Sequence, residues 1–131
     1  YKINLRAPYL LTQKLLPRVR ARRGQVVFIN SSMGVHARAN VGQYAATKHA
    51  LKAVADSLRD EVNPDGVRVL SIFAGRTASA MQETIYRLEN KAYDAQLLLQ
   101  PEDIASVVIH ALTLPRTAEV TDIHIRPLVK S

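Results

Sequence analysis

The chain has 131 residues, 47% of them apolar and 22% charged, with no cysteine. Those proportions fit one globular domain with a core of its own, and they exclude a disordered chain, a disulfide framework and thiolate metal sites. Eighteen Lys and Arg against eleven Asp and Glu give a net charge of +7, so nucleic acid has to be weighed as a partner.

Residues 2 to about 21 read as a helix, with Leu5, Leu11, Leu15, Leu16 and Val19 mostly on one face. Pro8 is expected to kink it and Gly24 to stop it. Val26 to Asn30 is apolar and β-branched, the pattern of a strand buried on both faces. Ser31 to Gln43 reads as a loop. A second helix follows from about Gly42 to Val62, on the recurrence of Leu51, Val54, Ala55, Leu58 and Val62. Asn63-Pro-Asp-Gly66 is a turn signal, and Val67 to Phe73 is a second strand. Ser79-Ala-Met-Gln82 resembles a capping box opening a helix that reaches about Asp94. Pro101 at a first helical position, followed by two acids, opens another. Leu114-Pro115 ends it, and Glu119 to Ile125 is the last strand.

Strands separated by helices need crossovers, so the strands are expected to be parallel with helices on both faces. The fold class is α/β, half of a doubly wound Rossmann-like sheet with about three strands. One sheet edge is then open, and something is expected to cover it. The chain starts at Tyr1, already inside an apolar-periodic segment, so a true start further upstream is expected. No run of roughly 18 apolar residues offers a membrane span, and no leader suggests secretion.

The basic charge is concentrated. Arg18, Arg20, Arg22 and Arg23 lie in one stretch, which reads as a helix end entering a loop, where cations suit the dipole. With no Trp, two Phe and five Tyr, stacking platforms for single strands are poorly supplied. A solvated basic edge is the preferred reading over a nucleic-acid interface.

Tyr44-Ala-Ala-Thr-Lys48 is the central constellation. Spacing by four puts both residues one turn apart on a helix. An ammonium near a phenol favours the phenolate, which makes Tyr44 a general acid or base near neutral pH. Alone, the pair also fits an exposed Tyr and a surface Lys at a helix start. Its context adds weight, because Ile29-Asn-Ser-Ser-Met-Gly34 leaves a strand at its carboxyl end, where open parallel sheets bind ligands. Ser31 there could donate to a substrate oxygen, or could merely end the strand. His36, His49, His110 and His124 are scattered, and no metal site is expected.

The Asn-Ser-Ser-x-Gly strand end, Tyr-Ala-Ala-Thr-Lys and the later Asp56-Ser-Leu-Arg-Asp-Glu61 together resemble the short-chain dehydrogenase/reductase family, in its catalytic and substrate-binding half. The resemblance covers nearly the whole chain. It implies that Tyr44 exchanges the proton with the carbinol or carbonyl oxygen. Lys48 would lower the tyrosine pKa and hold the nicotinamide ribose. Ser31, with Ser32 as runner-up, would orient the substrate oxygen. Asn4, in Asn4-Leu-Arg-Ala-Pro8, would anchor a water in the proton relay, or it only hydrogen-bonds locally beside Pro8. Ala74 to Ser79 resembles the family's loop beside the nicotinamide, which assigns Gly75, Thr77 and Ser79 to the cofactor. Ala74 replaces the usual Pro, Thr77 would act mainly through its backbone, and Ser79 is equally a helix N-cap.

The five glycines make no Gly-rich phosphate turn. The resemblance therefore implies that residues 1–131 are one partial domain, with the dinucleotide-binding half absent. The parent is expected to be a cytoplasmic NAD- or NADP-dependent oxidoreductase acting on a small alcohol or carbonyl substrate. It is expected to form a homo-oligomer through the helices near 2–21 and 42–62, without membrane or nucleic acid. The alternative is a non-catalytic fragment serving only folding or assembly. The substrate pocket is expected along residues 76 to 100 and Val35 to Val41.

Overall fold

A computed structural model describes residues 6–31 and 41–129; the side chains of residues 31 and 41–48 lie outside that description. Helix α1 (Ala7–Ala21) leads into strand β1 (Gln25–Ser31), and helix α2 (Val41–Val62) follows. A 3-10 turn at Asn63–Asp65 returns the chain to β2 (Arg68–Ala74). Helix α3 (Ala80–Leu88), a 3-10 turn at Ala95–Leu97 and helix α4 (Pro101–Leu112) precede β3 (Asp122–Ile125). The three strands form one parallel sheet in the order β1-β2-β3. Among the described residues no helix is long and apolar enough to cross a membrane.

The sheet divides the core in two. On one face Phe28 and Val69 pack with Leu51, Ala55, Leu58 and Val62 of α2, and Leu16 and Val19 of α1 close the cluster. On the other, Leu70, Ile72 and Ala74 pack with Leu99 and Ala111, and Ile104 and Val108 of α4 cover them. The expected α/β architecture, with parallel strands and helices on both faces, is therefore present. Because strand side chains alternate, β2 feeds both clusters, and all seven of its residues are buried.

Several sequence expectations need correction. β1 is not buried on both faces, since Ile29 is 67% exposed, and among the described residues it pairs on one side only. The described part of α1 runs from Ala7, with residues 2–5 of the expected helix outside the described residues, and Pro8 sits in its first described turn rather than at a kink. The interior proline is Pro17, which deprives the Gln13 carbonyl of its helical donor. The proposed α1 stripe is only half used, since Leu11 and Leu15 are exposed. Gly24 does not itself turn the chain. Arg23 takes the left-handed conformation at φ +49°, and Gly24 N–H closes the Schellman bond to Val19 O at 2.9 Å. α3 ends at Leu88 rather than Asp94, and Asn90 turns the chain at φ +56°. β3 is confined to Asp122–Ile125, because the Glu119 carboxylate, rather than a backbone carbonyl, receives the Val69 N–H at 2.8 Å.

Candidate active site

In a parallel sheet all the carboxyl ends meet at one edge. Register pairs Ser31 with Ala74, and Ala74 with Ile125. Ser31 is thus the last residue of β1, beside the start of the Ala74 to Ser79 loop. α2 begins at Val41, ten residues on, and runs back to the amino end of β2. Positions 44 and 48 fall in its first two turns, one turn apart. The side chains of Ser31, Tyr44 and Lys48, together with Asn4, Ser32 and residues 35–40, lie outside the described residues.

The loop after β2 is fully described. Gly75 N–H donates to Ile125 O at 2.8 Å, and a Cβ on Gly75 would lie 3.2 Å from Pro127 Cδ. A side chain there would crowd the chain leaving β3. Thr77 Oγ1 donates to Gly75 O at 3.1 Å, and Thr77 bridges in parallel to Leu99. Ser79 Oγ accepts Gln82 N–H at 3.1 Å, which makes it the N-cap of α3. That bond leaves the Ser79 hydroxyl proton available, whereas the Thr77 hydroxyl proton is spent on its own loop. Of the three residues, Ser79 is the one whose side chain keeps a proton to offer a ligand. No residue of this chain offers the glycine turn that a pyrophosphate needs.

A second group at this edge was not anticipated. Arg76, directly after Gly75, is buried and pairs with Glu89 at 3.1 Å. Its guanidinium carbon lies 4.9 Å from the centre of the Tyr86 ring. Burial opposes the charge, but the Glu89 hydrogen bond and Tyr86 outweigh it and hold the Arg76 pKa above its ordinary value. Tyr86 meets Tyr93 edge-on at 5.5 Å, and Tyr93 Oη donates to Ser79 O at 3.3 Å. Both ends of α3 are therefore fastened to the loop carrying Gly75, Thr77 and Ser79. The available signal was a charged residue set directly after a wholly apolar strand end. The side-chain amide nitrogen of Asn30, next to Ser31, is buried without an acceptor among the described residues.

Of the expected pocket lining, Leu98 and Leu99 are buried and Leu97 is exposed. Phe73 and His124 stack across the strand pair at 4.7 Å. Among the described residues no cluster of three His, Asp or Glu could hold a metal ion.

The chain is 33% identical over 129 residues to an uncharacterised short-chain type dehydrogenase/reductase of Sinorhizobium fredii, covering 95% of this chain and 52% of that protein. Among solved structures, a metagenomic short-chain oxidoreductase in complex with NADP superposes with a TM-score of 0.68 at 26% identity, over 97% of this chain and 49% of that one. A 4-hydroxyisoleucine dehydrogenase complexed with NADH and succinate gives 0.67 at 26% identity, over 93% and 53%. The chain thus spans about half the length of the relatives it matches. The family pattern described as short chain dehydrogenase matches residues 1–90. With more than half of its residues inside that pattern, the chain belongs to the short-chain dehydrogenase family.

Proposed function

We propose that this chain is the catalytic part of a nicotinamide-dependent oxidoreductase that interconverts an alcohol and a carbonyl compound. The observation that carries the reading is the shared carboxyl edge. Supporting it, Ser31 ends β1 beside Ala74, from which the Gly75 to Ser79 loop leaves, and positions 44 and 48 fall in the first turns of the helix that follows β1.

In this reading the Tyr44 phenolate takes the proton of an alcohol, and the phenol returns it to a carbonyl oxygen in the reverse direction. The Lys48 ammonium lowers the tyrosine pKa and holds the ribose. Ser31, or its neighbour Ser32, donates to the substrate oxygen and fixes its orientation. Asn4 anchors the water through which the proton leaves. Gly75, Thr77 and Ser79 hold the nicotinamide end of NAD or NADP, which when bound accepts or supplies the hydride. A glycine turn for the pyrophosphate has to come from outside these residues, so the 131-residue chain alone is expected to be inactive. Residues 1–131 are then one part of a larger Rossmann domain. Homo-oligomeric assembly through the helices near 2–21 and 42–62, and a cytoplasmic location, belong to the same reading.

The test is Tyr44→Phe in the full-length protein. Turnover should fall by about 100-fold or more, while the cofactor dissociation constant stays within about threefold, because the phenol carries the proton and only part of the ribose contact. A variant that keeps most of its turnover overturns the acid/base role. Lys48→Ala should lower both turnover and cofactor affinity, and unchanged affinity would remove its ribose contact.

A further inference from the structure

The opposite, amino edge of the sheet gathers positive charge that the reaction above does not use. Two adjoining hollows, about 730 and 500 Å³, open there and share Arg23, Asn63 and Gly66. Gly66 is left-handed at φ +81°, and the Arg23 stem lies directly over it, with Cδ 3.3 Å from where a Cβ would stand. Arg116, ninety-three positions later in the chain, places Nη1 3.3 Å from the Gly66 carbonyl oxygen. Arg22 lines the same hollow. Among the described residues no carboxylate pairs with Arg22, Arg23 or Arg116.

Behind them stands Arg68, which is buried and lines the same hollow. All five of its hydrogen bonds go to neutral oxygens, those of the Gln25 amide and of the Leu112, Leu114, Pro115 and Ala118 carbonyls. Among the described residues its charge therefore has no counter-ion. The nearby carboxylates are engaged elsewhere. Asp65 holds Arg20 at 3.2 Å, and Glu119 receives Val69 N–H and the Asn63 amide. Like charges converging on one glycine repel each other unless an anion sits between them.

We propose that this edge is an anion site, formed by Arg22, Arg23 and Arg116 over Gly66 and backed by Arg68, which takes a small phosphoryl-bearing molecule. Guanidinium groups match phosphate oxygens in pairs, and a carboxylate offers only one such face. The site is separate from the cofactor edge, because the length of β2, roughly 20 Å, lies between Gly66 and Gly75.

The test titrates the full-length protein, by calorimetry at low salt, with inorganic phosphate, pyrophosphate, AMP and a short duplex DNA. Saturable pyrophosphate binding is expected, weakened tenfold or more in Arg23→Gln/Arg116→Gln. The charge-matched Arg6→Gln/Lys14→Gln, with Arg6 at the N-cap of α1 and Lys14 on it, both exposed, should bind as the parent does. AMP binding more tightly than inorganic phosphate would assign a phosphate ester, and the reverse order a free phosphate. If the double variant fails to fold, Arg22→Gln, on the rim, should weaken pyrophosphate by threefold or more. The proposal is overturned by absence of saturable small-anion binding, by equal weakening in both double variants, by an unaffected Arg22→Gln, or by duplex DNA binding more tightly than any small anion with a steep salt dependence.

Discussion

Arg68 joins the start of β2 to the end of α4 through five hydrogen bonds to neutral acceptors, two of them near the helix end. Replacing it with Met keeps the apolar stem and takes a donor from four part-buried carbonyls, where a fully buried one left unpaired costs about 1–3 kcal/mol. Arg68→Met is expected to lower stability by about 3 kcal/mol, read from the urea midpoint at constant m-value. A change below about 1 kcal/mol would mean that water replaces those bonds. Asp56 makes a milder, pH-dependent contribution. The Lys52 hydrogen bond at 2.9 Å is the main cause holding its carboxyl below the ordinary value, against burial, and Arg59 at 2.8 Å adds to it. A lowered folded-state pKa stabilises the fold fully above about pH 4 and is lost as pH falls through that lowered value. Asp56→Asn should therefore flatten the acid limb of stability against pH below about 4. Superimposable limbs for parent and variant would show that the pair adds nothing. Sequence spacing puts positions 44 and 48 one turn apart on α2, since helical period is local. Arg76, Glu89 and Tyr86 were not legible, because their meeting depends on how α3 folds back over the end of β2.

At the scale of elements, α2 was read almost to the residue, and α1 ends at Ala21 as its pattern suggested, but its apolar stripe was misjudged. The α2 stripe packs on a buried strand, so Leu51, Ala55, Leu58 and Val62 all find partners. The α1 stripe lies over the edge strand, where there is surface enough only for Leu16 and Val19. The stop of α1 was also misassigned, since a glycine usually takes the left-handed position and here Arg23 does. Pro17 in the middle of that exposed helix gives a direct test. Pro17→Ala restores a donor to the Gln13 carbonyl and is expected to raise stability by about 1–3 kcal/mol. An unchanged melting temperature would show that α1 is already bent to suit the proline. Ser79→Ala removes the α3 cap and should cost about 1 kcal/mol. A larger loss of cofactor affinity in the full-length protein would assign the hydroxyl to the nicotinamide as well.

For the molecule as a whole, β1 has no partner strand on its outer side among the described residues, and Ile29 there is largely exposed. Tyr9, Leu10, Leu11 and Leu15 of α1 are exposed nearby in the chain. An apolar strand edge is a template for pairing. The 131 residues produced alone are expected to associate rather than run as a monodisperse monomer, and to bind neither NAD nor NADP usefully. Light scattering and cofactor titration check this, and a stable monomer with micromolar cofactor binding would contradict it. The parallel α/β plan was legible because crossovers force it, but which strand was exposed was not, since apolar β1 and β2 look alike until the pairing order is known. That order has a kinetic consequence. β2 is flanked on both sides and buried at every residue, so its amide protons can meet solvent deuterium only when the whole sheet comes apart. They should be the slowest protons in the chain to exchange, and their common rate would report the free energy of complete unfolding without any denaturant.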